Sequence, residues 1–275
     1  MLSLSFHHPL DGYYQGTRFD RGGIVSSLRF NGQELCAEWF EQYNPCMHDA
    51  VCGPAEEFSP LFPASGHILK IGVGLLQDSD TPYDRFRLYP VLDSGTWEMK
   101  PLAAGAVFTH TLNGFYQYRK TVQVTGENTL EISHFLDAER PLEGEVYNHN
   151  FFTMGKLAVG PSRQVDFPFA PAGTWRSVYD SVRFAENGVR FSRSLAKGET
   201  VFSGDVHEAG KEGMPYDLFL REGPLSIRIQ GDVPVTHAVL WANHRIACLE
   251  PYNVFSAMPG KPFSWTLRYT FTNSA

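Results

Sequence analysis

In the stretch FSWTLRYTFT (263–272), Phe263, Trp265, Leu267, Tyr269 and Phe271 fall on one side of an extended backbone. Ser264, Thr266, Arg268, Thr270 and Thr272 fall on the other. A period of two marks a half-buried strand, because successive side chains of a pleated chain point to opposite faces. The same period runs through FTHTLNGFYQYRKTVQVTG (108–126), TLEISHFLDA (129–138), VRFSRSL (189–195), LSIRIQG (225–231) and HAVLWAN (237–243), with glycine-bearing turns between them. GIVSSLRF, then Asn31-Gly32, then QEL predicts a hairpin, since Asn-Gly suits the two positive-φ positions of a tight primed turn. No helical period is sustained beyond about three turns. Residues 41–63 and 170–179 read as long loops, where function often gathers. The prediction is an all-β fold, a large antiparallel β-sandwich formed by residues 1–275 as one domain.

Composition adds a core and narrows the partners. The chain holds 21 Phe and 12 Tyr, ample apolar material for packing, so disorder is excluded. A formal charge of −7 repels nucleic acid and anionic membranes, so neither is expected as a partner. A neutral small molecule fits that surface better. Cys36, Cys46, Cys52 and Cys248 are too few for a disulfide scaffold and form no C-x-x-C pair. The opening MLSLSFHHPLDGYY lacks the basic start and apolar run of a signal peptide, and no stretch approaches the ~18 apolar residues of a spanning helix. A cytoplasmic monomer or homodimer is the expectation.

Chemistry enters at VYNHNFF (146–152). Tyr147, His149 and Phe151 share one face of this strand, and Val146, Asn148, Asn150 and Phe152 the other. Three consecutive polar residues among aromatics are expensive to bury unless each is paired, so they form either a satisfied core network or a site. Two further stretches place an ionisable group among apolar neighbours: Pro215-Tyr216-Asp217-Leu218-Phe219-Leu220 and Ala247-Cys248-Leu249-Glu250-Pro251-Tyr252. A histidine, an aspartate and a glutamate from separate strands could converge. The plainer readings are a core histidine, a strand-end glutamate and a turn aspartate.

Other motifs carry less. Cys46-Met47-His48 and Cys52 lack recognised zinc spacing, so no metal is expected. Gly72-Val73-Gly74 lacks the third glycine and following helix of a dinucleotide loop. Glu56 and Glu57, if on one strand, point to opposite faces and cannot both serve one site. No Gly-x-Ser-x-Gly elbow is present.

Three segments, in their order and spacing, resemble the aldose 1-epimerase (galactose mutarotase-like) family. They are Asn148-His149-Asn150-Phe151-Phe152, Asp217-Leu218-Phe219-Leu220, and Leu249-Glu250-Pro251 ahead of Pro259-Gly260 and a final strand. The resemblance spans roughly residues 12–272 and implies the galactose mutarotase-like supersandwich. It further implies that His149 is a general acid, Glu250 a general base and Asp217 a ligand of a sugar hydroxyl, with no cofactor. Opening a hemiacetal needs one group to take the anomeric proton and another to protonate the ring oxygen, each worth about 10²–10⁴-fold. An acid and a base on opposite sides of a pyranose, about 5–7 Å apart, would do this. Asn148 is a further candidate contact, and Tyr147, Tyr216, Trp241 and Tyr252 are candidate walls for the ring.

The resemblance has a gap. Family members carry an Asn-Arg pair and then His-Gly-Phe-x-Arg, and neither stands in CGPAEEFSPLFPASGHILKIGVGLL (52–76). His67, Lys70, Glu56 and Glu57 are the candidates to replace the missing sugar-binding histidine. The gap points to a substrate other than plain galactose or glucose, and Lys70 and Arg87, if not merely solvated, suit an acidic or modified sugar. A carbohydrate-binding or regulatory module, or another carbohydrate-active enzyme such as a lyase or hydrolase, uses the same kind of sandwich.

Overall fold

The computed structural model describes residues 1–47, 50–154 and 158–273. Its first strands are β1 (Leu2–Phe6), β2 (Val25–Phe30), β3 (Gln33–Glu34), β4 (Gly53–Phe58), β5 (Leu61–Ala64), β6 (His67–Lys70), β7 (Gly74–Gln77) and β8 (Val91–Asp93). The middle of the chain forms β9 (Thr96–Leu102), β10 (Gly105–Leu112), β11 (Tyr116–Gly126), β12 (Thr129–Ala138), β13 (Leu142–Phe151), β14 (Arg163–Asp166), β15 (Pro171–Ala172) and β16 (Val182–Ala185). The last third forms β17 (Gly188–Phe191), β18 (Thr200–Phe202), β19 (His207–Glu208), β20 (Asp217–Glu222), β21 (Leu225–Gly231), β22 (His237–Asn243), β23 (Ala247–Ala257) and β24 (Phe263–Asn273).

Alternation becomes burial as the sequence predicts. In β24, Trp265, Leu267, Tyr269 and Phe271 are buried while Ser264, Arg268 and Thr272 are exposed. The strands β12, β21 and β22 coincide with the stretches 129–138, 225–231 and 237–243. Asn31 and Gly32 take φ of 52° and 82° and close the β2–β3 hairpin, the geometry Asn-Gly tolerates best.

Two sheets form the body, every pair antiparallel. A ten-stranded sheet runs β16-β17-β14-β20-β21-β24-β12-β11-β10-β9, and a five-stranded sheet runs β18-β22-β23-β13-β4. They pack face to face: Phe58 of β4 meets Tyr118 and Trp265 with ring centroids 5.4 and 6.0 Å apart. Tyr269 Oη donates to Asn150 Oδ1 at 3.0 Å across the same gap. A β1-β2-β3 sheet, a β5-β6-β7-β8 sheet and a β15-β19 pair complete the fold.

Three expectations need correction. The first is that 170–179 is all loop: β15 pairs there with β19, and Trp175 bridges Ser203. Residues 41–63 are not all loop, because β4 and the start of β5 lie within them. GPAEEF hides its strand from a period-two reading because all six residues are buried, with a layer of structure over each face. The extended stretch at 189–195 also ends early, at Phe191.

Candidate active site

Strand register builds the site. Tyr147 of β13 faces Tyr252 of β23, so His149 and Glu250, two residues further on along antiparallel strands, fall side by side on the same face. On that face β22 contributes Trp241, β18 contributes Phe202 opposite it, and β4 contributes Glu57 opposite Tyr147. This face of the five-stranded sheet, turned away from the ten-stranded one, floors a cavity of about 670 Å³. Segments from elsewhere close it: Arg18, Trp39, Tyr83-Asp84-Arg85-Phe86 and Arg176.

His149 Nε2 lies 3.2 Å from Glu250 Oε1. The expected gap of a ring's width between them is therefore absent, and acid and base touch on one side of the cavity. Both side chains are nearly buried. The imidazole stacks on Phe151 at 3.5 Å and 7°, and Phe151 stacks on Trp39 at 5.1 Å. Trp39 meets Trp241 edge to face at 5.5 Å, which leaves an aromatic wall beside the pair. Burial pushes the Glu250 carboxyl up to about 7, against the opposing pull of Arg18, Arg85 and Arg176.

Glu57 anchors the other side of the cavity. It accepts from Arg18 Nε at 2.5 Å and from the Tyr147 hydroxyl, and lies 3.7 Å from Arg85 Nε. Arg18 and Arg85 both donate to Tyr147 Oη, at 2.7 and 3.1 Å. Burial alone would raise the Glu57 carboxyl, but Lys70, Arg18 and Arg85 hold it below its ordinary range.

The expected residues therefore divide. His149, Glu250, Tyr252 and Trp241 line the cavity. Tyr147 stands just behind the lining as the hydroxyl that bridges Arg18, Arg85 and Glu57. Asn148, on the opposite face of β13, donates to Glu56 Oε1 at 2.9 Å between the two sheets, and the Tyr216 hydroxyl reaches Asn148 Oδ1 there at 3.5 Å. Neither Asn148 nor Tyr216 lines the cavity, because the strand's alternation turns the asparagine inward.

Asp217 is a clear correction. Leu218 and Leu220 point into the core, so Asp217 lies on the outer face of β20, where Arg228 Nε and Nη2 donate to it at 2.7 and 2.6 Å. Lys70 is fully buried, 3.6 Å from Glu57 and bonded to the Phe58 carbonyl, and burial lowers it to about 8. It supports Glu57 and does not line the cavity. Arg87 donates to Ser79 Oγ and Thr81 Oγ1 at 2.8 and 2.6 Å, tying the 78–90 loop to itself. His67 bonds the Ser65 carbonyl, outside the cavity. Glu56 and Glu57 do point opposite ways along β4, one toward Lys120 and one toward the cavity.

Sequence reasoning missed Trp39 and the three arginines. They sit in loops, where no period sorts inward from outward. Arg18 and Arg85 carry one signal, the density of charge and aromatics in TRFDRGG (17–23) and TPYDRFRL (81–88), while Arg176 lies in the 170–179 stretch and Trp39 carries none. Among the described residues no cluster of three His, Cys, Asp or Glu side chains could hold a metal ion, and His48 of the Cys46-Met47-His48 stretch lies outside those residues. Also among them, no helix is long and apolar enough to cross a membrane.

No family model and no curated protein matches the chain. Solved structures do. A candidate aldose 1-epimerase from Escherichia coli K12 superposes with a TM-score of 0.58 at 11% identity, covering 100% of both chains. A galactose mutarotase-like protein from Clostridium acetobutylicum gives 0.55 at 12%, over 100% of this chain and 99% of that one. A galactose mutarotase-like protein from Lactobacillus casei gives 0.53 at 12%, over 94% and 98%. At these identities the likeness is one of architecture: this chain has the galactose mutarotase-like β-sandwich fold.

Proposed function

We propose that the chain is a cofactor-independent epimerase of the aldose 1-epimerase type, interconverting the anomers of a sugar by acid and base catalysis. The observation that carries this reading is the 3.2 Å His149–Glu250 contact at the floor of an aromatic-walled cavity of about 670 Å³. That volume is in the range of small-ligand sites. The hydroxyl oxygen and ring oxygen of a hemiacetal are bonded to one carbon, so an adjacent acid and base can reach both from one side.

Glu250 takes the proton of the anomeric hydroxyl, whose electron pair forms the carbonyl as the bond from C1 to the ring oxygen breaks. His149, as imidazolium, protonates the departing ring oxygen. Rotation about C1–C2 presents the other face of the carbonyl, and the same transfers run backwards to close the ring. Trp39, Phe151 and Trp241 offer flat apolar surfaces to the sugar. The four cysteines are free, which suits a reducing cytoplasm.

The test is anomer exchange by NMR or polarimetry across a panel of sugars. His149→Ala and Glu250→Gln should each lower the catalysed rate by about 10²–10⁴-fold while leaving the melting curve cooperative. The reading fails if the wild-type protein does not exceed the spontaneous rate, or if both variants keep it. The direct acid–base contact, with no ring's width between the groups, favours a second reading, a sugar-binding module. Saturable sugar binding by a wild-type protein that leaves exchange at the spontaneous rate would support that one.

A further inference from the structure

The cavity gathers positive charge in a chain whose formal charge is −7. Its lining holds Arg18, Arg85 and Arg176 against Asp84 and Glu250. Both acids are engaged: Asp84 Oδ1 accepts the Phe86 N–H at 2.9 Å, and Glu250 touches His149. Two of the arginines are engaged as well, through Glu57 and Tyr147.

Arg176 is different. Its Cζ lies 3.7 Å from the centroid of the Phe202 ring, and its Nε donates to the Ser203 carbonyl at 3.1 Å. Among the described residues it forms no ion pair. The stack and the single hydrogen bond fix the guanidinium without neutralising it. A guanidinium held this way has given up less freedom when it pairs with an anion, and its planar fork matches carboxylate and phosphate oxygens.

Its place in the sheet matters. Phe202 lies on the edge strand β18, while the Arg18–Arg85–Glu57 group lies over the opposite edge, β4. His149 and Glu250 stand on the strands between. A ring seated on the acid–base pair therefore has Arg176, which forms no ion pair among the described residues, toward one end, and Arg18 and Arg85, held in place on the shared Glu57 carboxylate, toward the other. The net negative charge of the whole surface acts weakly at this distance, since salt screens exposed charges beyond about 8 Å at physiological ionic strength.

Resting on the epimerase reading, we infer that the sugar carries an anionic substituent, a carboxylate or a phosphate ester, and that Arg176 pairs with it at the cavity mouth. A neutral sugar leaves Arg176 in water and loses only that pairing. This replaces Lys70 and Arg87, which lie outside the cavity, as the cations that select the substrate.

The test is binding, measured by calorimetry or NMR titration, for glucuronate, glucose 6-phosphate and glucose, which share a ring and differ at carbon 6, with the galacto series alongside. In the wild-type protein at least one anionic sugar should bind more tightly than its neutral parent. Arg176→Gln should weaken that sugar about 10- to 100-fold and leave the neutral one unchanged, with Arg176→Lys between them. The acid or the phosphate that shows the Arg176-dependent gain names the substituent. The inference is overturned if neutral sugars bind as tightly as both anionic ones, or if Arg176→Gln weakens every sugar alike. Because the readout is binding, the two readings fail separately. Arg176-dependent binding without anomer exchange removes the epimerase and keeps the anion site. Anomer exchange above the spontaneous rate, with anionic sugars bound no more weakly by Arg176→Gln than by the wild type, does the reverse.

Discussion

A carboxyl group that leaves water resists ionising, and Glu250 illustrates the consequence for stability and for chemistry together. Burial carries it from the ordinary 4.5 to about 7. Between those values the folded chain keeps a proton that the unfolded chain has released. The stabilisation from that proton is complete below pH 4.5 and is lost as the pH rises through 7, a swing on the order of 3 kcal/mol. Glu250→Gln should therefore melt near the wild type at pH 5 and several degrees above it at pH 8, seen by circular dichroism at the two pH values. A variant with equal effects at both would contradict the assignment. On the epimerase reading the same shift makes the carboxylate a base poised at neutrality, so the rising limb of the exchange rate against pH should have its midpoint near 7, with a fall at higher pH as the His149 imidazolium is lost. At this scale the sequence could single out His149 and Glu250, since ionisable groups inside apolar strands are conspicuous, but the same sign singled out Asp217, which lies outside the cavity. The sequence could not give the separation of His149 and Glu250, which depends on a pairing register no local pattern encodes. Arg18, Arg85 and Arg176 were illegible because their loops have no period.

Strands sort their residues by parity, and β13 builds a core network on one face and lines the cavity on the other. His149 and Phe151 face the cavity, while Asn148 and Asn150 face the ten-stranded sheet and are satisfied there. Asn150 donates to the Leu249 carbonyl at 2.8 Å and accepts from Tyr269. The same rule removes Asp217 from the chemistry, because leucines on either side of Phe219 claim the inward positions. Asp217→Ala should leave anomer exchange unchanged and cost under about 1 kcal/mol, since its pair with Arg228 is partly exposed. A large loss of rate would reinstate the aspartate as a ligand. Strands with one wet face were legible to the residue, as β12, β21, β22 and β24 illustrate. The strand β4 was not, because buried glutamates on both of its faces look like loop until their partners are known.

Across the whole molecule, charge holds the layers together where apolar contact alone would serve elsewhere. Lys120 of the ten-stranded sheet reaches Glu56 of the five-stranded one and lies 3.2 Å from Asp20 of the N-terminal segment, all of them buried. His134 Nε2 lies 3.1 Å from Glu56. Lys120 and His134 hold the Glu56 carboxyl low despite its burial. Lys120→Met would strand two carboxylates and should cost about 3–5 kcal/mol at neutral pH by urea denaturation. The deficit should narrow as the pH falls and those carboxyls take up protons; a deficit independent of pH would mean that packing, not charge, explains it. The sandwich itself was legible in the sequence, because alternation over many strands leaves few other architectures. The pairing order was not, since it rests on contacts between distant segments. Arg18 meets Tyr147 across 129 positions of chain, and both meet Glu57. A chain with its hairpins formed but this crossing unmade would thus lack the cavity, which closes only when segments from both ends of the sequence have met.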